Sequence, residues 1–293
     1  MSPVRPIWLR LAPVIFLVLW SGGYAVAKAG LGYAAPMVIL AMRFALVVAV
    51  MAALWLVLRP PLPKTRAEWG HLAMVGLLIQ SVYFGMSYYA LDSGVAAGTL
   101  ALLMTLQPVM VALVAPRWTG EQVGWKQWSG LILGLLGAGV VIAARAAVEP
   151  PSVAGFAFAV IGLGGIVAAS LWEKRFGVQH HPVTSNLVGY AVGLVGILPL
   201  LALQDDLSIT WGWPFLGVMV YLVLGNSLVA VGLLLAMIRA GDVARVSSLF
   251  FLVPPLAAVL AWALLGEVMP PVAWGGMALA GTGVLLATRK AVG

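Results

Sequence analysis

The stretch that decides the fold class covers residues 34–58 and reads AAPMVILAMRFALVVAVMAALWLVL, with Arg43 as its single charged residue. An α-helix needs about 20 predominantly apolar residues to cross a bilayer. Similar apolar runs recur along the whole chain, and none alternates apolar with polar residues as a membrane β-strand does. We therefore predict an all-α polytopic membrane protein with ten transmembrane helices, at residues 9–28, 34–58, 71–91, 96–115, 125–145, 153–172, 184–203, 213–237, 244–264 and 270–289.

The composition supports this fold class and excludes several others. Of 293 residues, 63% are hydrophobic, only 9% are charged and none is cysteine. A soluble protein is about 25% charged, so a water-soluble monomer is excluded. Without cysteine there is no disulfide framework, Cys-ligated zinc or iron–sulfur cluster, and we expect no cofactor and no metal site. The net charge of +7 does not indicate nucleic-acid binding, because the basic residues are not gathered into one patch.

The basic residues instead predict the topology. Lys and Arg are enriched in cytoplasmic connections of membrane proteins. If the N-terminus is cytoplasmic, 13 of the 16 basic residues are cytoplasmic: Arg5, Arg10, Arg59, Lys64, Arg66, Arg117, Lys126, Lys174, Arg175, Arg239, Arg245, Arg289 and Lys290. We expect a multi-pass protein of the bacterial inner (plasma) membrane with both termini in the cytoplasm. Residues 9–28 also resemble an export signal, but we expect an uncleaved helix because the repeat described next includes it.

The two halves of the chain are related by a nearly constant offset. The matching pairs are Gly94 with Gly241 and Pro108 with Pro255, 147 residues apart, and Glu121 with Glu267, Trp128 with Trp274 and Gly137 with Gly283, 146 apart. We therefore divide the chain into repeats of five helices, residues 1–148 and 149–293. Because five is odd, the second repeat is inverted in the membrane. Inverted repeats around a central cavity are typical of alternating-access transporters.

Several motifs resemble the drug/metabolite transporter superfamily, in its EamA-type ten-helix branch. They are residues 18–28, VLWSGGYAVAK, in helix 1, Arg43-Phe44 in helix 2, Pro108 in helix 4 and Leu264-Leu265-Gly266-Glu267 after helix 9. Within this branch the chain is most similar to amino-acid exporters of the YddG type, which include aromatic amino-acid exporters. The resemblance implies export of amino acids and related metabolites through a central cavity, lined chiefly by helices 1, 3, 4, 6, 8 and 9.

Polar and aromatic side chains within the predicted helices are the candidate substrate-binding residues, because polar groups in a bilayer tend to face the bundle interior. They are Trp20, Ser21, Tyr24, Gln80, Tyr83, Thr105, Trp172, Asn226, Ser227, Ser248 and Phe250. Gln80 and Ser227 are 147 residues apart and are therefore repeat equivalents. The alternative for Ser and Thr, which we favour, is bonding to their own helix carbonyls or to a neighbouring helix. For Gln80 and Asn226 we favour substrate binding.

The charged residues constrain the substrate. Asp92, Glu121, Glu173, Asp242 and Glu267 all lie at helix ends, whereas proton-coupled efflux of organic cations usually needs a buried acid. A neutral or zwitterionic substrate fits better, although coupling through Lys28 or an end-lying acid stays open. For Arg43 we favour a structural role, either snorkelling outward or pairing with a carbonyl, over binding a substrate carboxylate. We expect Lys28 to anchor the membrane interface, with lining of the outer mouth as the alternative.

Prolines and small residues suggest how the helices move and pack. Pro108, Pro254 and Pro255 interrupt helices 4 and 9 at repeat-related positions, and we predict either hinges or static kinks there. Gly130 and Gly134 in helix 5, with Gly275, Gly276, Ala280 and Gly283 in helix 10, form small faces that allow close helix contact. We expect these faces to pack within one bundle, and so expect a monomer.

The sequence thus predicts a secondary transporter that exports small neutral or zwitterionic metabolites by alternating access, most readily amino acids including aromatic or apolar ones. The partners we expect are a small-molecule substrate and the lipid bilayer. An enzyme is disfavoured because no carboxylates or histidines cluster within the membrane, and a scaffold or receptor is the other class considered. Within transport, the alternatives are a sugar-phosphate or nucleotide-sugar exchanger and a drug efflux carrier.

Overall fold

The computed structural model describes residues 7–119, 124–147, 150, 152–177, 180–239 and 249–288. Ten helical spans, numbered in chain order, account for most of them. The first three are α1 (Ile7–Gly30), α2 (Pro36–Leu58) and α3 (Arg66–Asp92), and α4 has two parts, Ala97–Met104 and Gln107–Thr119. The others are α5 (Trp125–Ala146), α6 (Val153–Phe176), α7 (Pro182–Ala202), α8 (Trp213–Arg239), α9 (Val253–Leu265) and α10 (Pro271–Thr288).

Each predicted apolar run overlaps one of these spans, and residues 244–248 of the ninth run lie outside the described residues. Seven of the helices that the structure describes are long and apolar enough to cross a membrane, and the helices at Ala97–Val111, Val253–Leu265 and Pro271–Leu286 are shorter but apolar. Across the described ranges there is no β-strand, and a single antiparallel bridge joins Ala34 to Ile209. The all-α polytopic membrane fold is confirmed.

Helix α3 begins five residues before the predicted start, and the reason is a capping box. Thr65 Oγ1 accepts a hydrogen bond from the backbone N–H of Glu68 (3.2 Å). Glu68 Oε2 accepts one from the backbone N–H of Lys64 (2.8 Å). The first bond satisfies a donor that the first turn of a helix leaves unpaired, and the second holds the residue that precedes the N-cap. The polar turn 65–68 therefore belongs to the helix although it is not part of the apolar run.

Alternate connections meet on the same side of the bundle. Thr210 N–H donates to Tyr33 O (2.8 Å), joining the α7–α8 connection to the α1–α2 connection. Ser152 Oγ donates to Ser93 O (2.9 Å), joining α5–α6 to α3–α4. Thr184, in the first turn of α7, donates to Pro61 O (3.2 Å) in the α2–α3 connection. This grouping is expected if successive helices cross the bundle in opposite directions.

Contacts between the halves follow a two-fold pattern. Helix α2 packs against α7, and α5 packs against α10. Helix α1 of the first half packs against α8 and α9, while α6 of the second half packs against α3 and α4. Exchanging the two sets of five helices therefore reproduces the same pairings. This is the architecture of two five-helix repeats, although the division at residue 148 stays a prediction.

The contact between α5 and α10 depends on the small residues that the sequence singled out. A Cβ added to Gly137 would overlap the backbone of Ala280 and Gly276, and one added to Gly283 would overlap the backbone of Gly134 and Gly130. The two helices can approach this closely only because these positions carry no side chain. The small faces are thus used within one bundle, as expected, and the monomeric state stays a prediction.

Helices α4 and α9 are interrupted at repeat-related positions. The two parts of α4 are separated by Thr105 and Leu106, and α9 follows a 3-10 turn, Phe250–Leu252. Thr105 and Leu252 are 147 residues apart. Pro108 and the pair Pro254 and Pro255 lie in the first turn after each interruption, where a proline costs no helix hydrogen bond. The prolines therefore restart helices rather than kink continuous ones.

The topology predicted from the charges is testable by thiol labelling, because the chain contains no cysteine. Asp205 and Lys64 both lie in exposed connections, on the predicted external and cytoplasmic sides respectively. In intact cells, we expect Asp205→Cys to react with a membrane-impermeant maleimide and Lys64→Cys to react only after permeabilisation. The reverse pattern would overturn the assignment of both termini to the cytoplasm.

Candidate functional site

A cavity of about 200 Å³ lies between the two halves and is the candidate substrate site. Its lining combines aromatic rings, amides and one guanidinium. The lining residues are Trp20, Gly23, Tyr24, Ala27, Arg43, Ile79, Gln80, Tyr83, Phe84, Ser87, Tyr88, Leu91, Leu100, Asn186, Tyr190, Asn226 and Val231. They belong to α1, α2, α3, α4, α7 and α8. The resemblance implied α6 and α9 instead of α2 and α7, and none of the described residues of α6 and α9 is among those that line this cavity.

Helices α3 and α8 are π-helical where they meet the cavity. The π-helical segments are Leu77–Phe84 in α3 and Tyr221–Ala230 in α8. Gln80 and Ser227, the repeat equivalents noted in the sequence, each lie within one of them. Single π-helical turns are rare and occur often at functional sites. The same departure from α-helical geometry occurs at equivalent places in both repeats. This agreement supports the choice of the cavity at this depth as the candidate functional site.

Helix α1 approaches α8 closely because residues 22 and 23 are glycine. A Cβ on Gly23 would lie 2.6 Å from Asn226 Nδ2, and one on Gly22 would overlap the hydroxyl of Tyr221. Both polar groups bond to the α1 backbone: Asn226 Nδ2 and Tyr221 OH each donate to Leu19 O at 3.1 Å. The two glycines thus provide the space in which α8 side chains hold α1.

Arg43 is the most unusual residue of the site. Its side chain is buried, with the residue only 2% exposed, and it bonds across the two halves. Its Nε donates to Ser227 Oγ (3.0 Å) and its Nη2 to Asn226 Oδ1 (2.8 Å). Its Nη1 donates to Tyr88 OH (3.4 Å), and the guanidinium carbon lies 4.7 Å from the centre of the Phe84 ring.

This environment corrects the expectation for Arg43. It neither snorkels to the membrane surface nor pairs with a backbone carbonyl, since its acceptors are side-chain oxygens of α3 and α8. Among the residues that the structure describes, no carboxylate pairs with it. A cation buried inside a membrane bundle without a counter-ion is costly. Among the described residues, the three hydrogen bonds and the Phe84 ring offset this cost.

Five of the predicted binding residues line the cavity together. Tyr24 and Tyr83 place their hydroxyl oxygens 3.3 Å apart across it. Gln80 is buried, and its Oε1 has no hydrogen-bond partner among the described residues. Trp20 also lines the cavity, and its ring packs edge-on against Phe250, with 5.7 Å between the ring centres. Asn226 completes this group of residues.

The remaining predicted residues lie beside or away from the cavity. Ser227 and Ser21 are buried but do not line the cavity. Ser227 donates to Leu222 O (2.9 Å), and no described residue bonds to the Ser21 hydroxyl. Thr105 bonds back to Leu102 O (2.6 Å), the alternative favoured for such hydroxyls. Trp172 packs against the rings of His71 and Phe176 instead of facing the cavity. Ser248 lies outside the described residues.

Sequence reasoning missed the contributions of α2 and α7 and most of one face of α3. Apart from Ile79, the α3 residues on the cavity are Gln80, Tyr83, Phe84, Ser87, Tyr88 and Leu91. They are spaced at i, i+3, i+4, i+7, i+8 and i+11, the pattern of one helical face. Extending the face from Gln80 by this spacing would have found Ser87 and Tyr88. Asn186 and Tyr190, on α7, are also four residues apart, but neither is related to a motif.

An ion pair ties three elements together beside one end of the cavity. Lys28 Nζ lies 2.6 Å from Glu267 Oε1, and both side chains are mostly buried. Glu267 also accepts a hydrogen bond from the backbone N–H of Ala97 at the start of α4 (3.1 Å). Lys28 also donates to Val95 O (3.2 Å). Lys28 is therefore a cross-link between α1, α4 and the α9–α10 connection, and its role as an interfacial anchor stays a prediction.

Comparisons with known proteins agree with this architecture. A protein of Streptantibioticus cattleyicolor named a probable terminal-alkyne amino-acid exporter is 29% identical over 99% of this chain and 95% of its own length. A Salmonella typhimurium protein named a probable amino-acid metabolite efflux pump is 26% identical over 94% of this chain and 91% of its own. A solved crystal structure, 18% identical, matches 96% of this chain and 97% of its own with a TM-score of 0.62, which supports the fold.

The family assignment follows from a match to both halves. The sequence model of the EamA-like transporter family matches residues 7–143 and again residues 153–289. Each match covers one set of five helices, so the repeat seen in the packing is also a repeat of the family domain. The chain is therefore a multi-pass membrane transporter and not an enzyme: it belongs to the EamA-like transporter family, within the drug/metabolite transporter superfamily.

Proposed function

We propose that this transporter exports small zwitterionic metabolites, most readily amino acids with apolar or aromatic side chains, by alternating access. The observation that carries the proposal is the cavity between the two repeats, in which aromatic rings surround one guanidinium and one unpaired amide oxygen. Aromatic walls favour apolar side chains with little selectivity among them. The guanidinium and the amide oxygen supply hydrogen-bond partners for the carboxylate and ammonium groups of such a substrate.

The size of the cavity favours a small substrate. At about 200 Å³ it holds several water molecules, each of which takes about 30 Å³. It is smaller than the pockets of about 300–1,000 Å³ that enclose drug-sized ligands. An amino acid suits this space better than a nucleotide sugar or a bulky drug.

The charges of the lining also argue against the alternative substrates. A phosphate ester needs several cations in its site, whereas Arg43 is the one basic side chain among the described lining residues. Efflux of an organic cation needs an acid, and the described part of the lining contains none. A zwitterion carries both signs of charge and requires neither arrangement.

The two-fold packing supports alternating access, and the charge bias supports an inner-membrane protein with cytoplasmic termini. Two relatives carry the names of an exporter and an efflux pump, which supports outward transport. In this proposal the chain works as a monomer, since both repeats that build the cavity belong to one chain.

Counterflow into proteoliposomes tests the proposed function. We expect liposomes preloaded with leucine or phenylalanine to accumulate the same amino acid in radiolabelled form. Liposomes preloaded with a sugar phosphate, a nucleotide sugar or a quaternary amine should accumulate no more of the same radiolabelled compound than protein-free liposomes do. Exchange of a phosphate ester with no exchange of any amino acid would contradict the proposal and favour the main alternative.

The cavity wall can be tested at Trp20 and Gln80. Trp20→Ala removes an aromatic wall, which we expect to weaken substrate affinity about tenfold, equivalent to about 1.4 kcal/mol. Gln80→Leu keeps the approximate size but removes the amide, so zwitterionic substrates should bind less well while apolar packing is preserved. The measurement is the concentration dependence of counterflow at matched expression.

Leu46→Ala is the matched control for these variants. Leu46 lies on α2 but is exposed on the outer surface of the bundle, where lipid tails tolerate either residue. If Trp20→Ala and Gln80→Leu both behave like Leu46→Ala, the two residues are structural and the assignment of this cavity as the substrate site fails.

The interruptions in α4 and α9 predict a role for the prolines in the conformational change. We expect Pro108→Ala and Pro255→Ala to slow exchange while leaving substrate affinity close to that of the parent, since neither residue lines the cavity. Pro199→Ala, which removes a proline from the interior of α7, is the control. Exchange rates within about twofold of the parent would show that the interruptions are static.

A further inference from the structure

The guanidinium of Arg43 has unused capacity to bind an anion. A guanidinium carries five N–H donors. Three of them donate to Ser227, Asn226 and Tyr88, one from each nitrogen. The other two N–H donors are one on Nη1 and one on Nη2. Among the residues that the structure describes, none accepts a hydrogen bond from either of them. Arg43 also lines the cavity, which has space for a small substrate.

Arg43 is held rigidly by its neighbours. Ser227 is fixed by its own bond to Leu222 O (2.9 Å), and Asn226 by its bond to Leu19 O (3.1 Å). The Phe84 ring covers one side of the guanidinium plane at 4.7 Å and itself packs against Phe44. An arginine held in this way loses little conformational entropy when it binds a carboxylate through two parallel hydrogen bonds.

A complementary acceptor lines the same cavity. Gln80 is 8% exposed, and its Oε1 is buried with no hydrogen-bond partner in the part of the chain that the structure describes. Leaving such an oxygen unpaired is costly, so a ligand that donates a hydrogen bond there gains stability. An ammonium group is such a donor. The lining thus provides one cationic donor and one neutral acceptor, the pair of groups that a free α-amino acid matches.

We propose that Arg43 binds the α-carboxylate of the substrate and that the Gln80 amide oxygen accepts a hydrogen bond from its ammonium group. This inference rests on the proposed function and narrows its substrate class to molecules with a free carboxylate. The bound carboxylate is the counter-ion that Arg43 otherwise lacks among the described residues. Amino-acid amides and esters, which keep the ammonium group and the side chain but lose the negative charge, are rejected.

The test compares each amino acid with its own α-amide. Leucine and phenylalanine are paired with leucinamide and phenylalaninamide as competitors of counterflow in proteoliposomes. For the parent protein, we expect each amide to compete at least about tenfold more weakly than the amino acid, because it loses a charge-assisted pair of hydrogen bonds. In Arg43→Gln this preference should fall to within about twofold, since an uncharged amide gains little from either ligand.

Arg145→Gln is the matched control. Arg145 is also buried, in α5, and donates to Val268 O, but it does not line the cavity. We expect Arg145→Gln to keep the preference for the carboxylate even if its overall rate falls. Arg43→Lys guards against misfolding of the glutamine variant. Lysine keeps the positive charge but lacks the two parallel N–H donors of the guanidinium. Affinity for the amino acids should therefore fall while affinity for the amides is unchanged.

Each result has one meaning. If the parent exchanges amino acids but does not prefer them over their amides, or if Arg43→Lys weakens both ligands equally, Arg43 is structural and this inference is overturned while the proposed function stands. If the parent exchanges neither leucine nor phenylalanine, the proposed function itself has failed.

Discussion

The structure depends on how a buried arginine is accommodated inside a membrane bundle. Arg43 lies on α2, and its described hydrogen-bond acceptors lie on α3 and α8. Because a buried cation must be solvated by its surroundings, these helices have to meet at this depth. Asn226 links Arg43 to a further helix, since its side-chain oxygen accepts a hydrogen bond from Arg43 while its side-chain nitrogen donates one to the α1 backbone. Gly23 provides the space for that contact.

The repeat places similar irregularities of the helix backbone in both halves, around the buried Arg43. The π-helical turns of α3 and α8 and the interruptions of α4 and α9 occur at equivalent positions. Helices α5 and α10, packed through glycine, lie apart from the cavity, as none of the described lining residues belongs to them. A bundle of this kind has irregular backbone near the cavity and close small-residue packing elsewhere, which suits a transporter whose two repeats move around a fixed site.

The sequence predicted the fold well because membrane helices have a strong one-dimensional pattern. Apolar runs located all ten spans, and constant offsets located the repeat. The site was harder to predict. Trp20, Gln80 and Asn226 were found because polar or large groups are rare within such runs, but the role of Arg43 depends on which helix faces it, and α2 gives no periodicity that reveals this. The packing of Trp172 against His71 and Phe176, and the burial of Lys28 against Glu267, depend on contacts between distant segments.

The central claim is that an amino acid occupies the cavity beside Arg43, and cysteine labelling at Ser87 tests it most directly. Ser87 lines the cavity, its hydroxyl has no described partner, and the chain contains no other cysteine once Ser87→Cys is made. The rate of reaction with an anionic methanethiosulfonate reagent should fall about tenfold when leucine is present at ten times its Kd, as expected for a bound ligand that blocks access. Leucinamide at the same concentration, which binds at least about tenfold more weakly, should lower the rate by about twofold at most. An unchanged rate in saturating leucine would contradict the account.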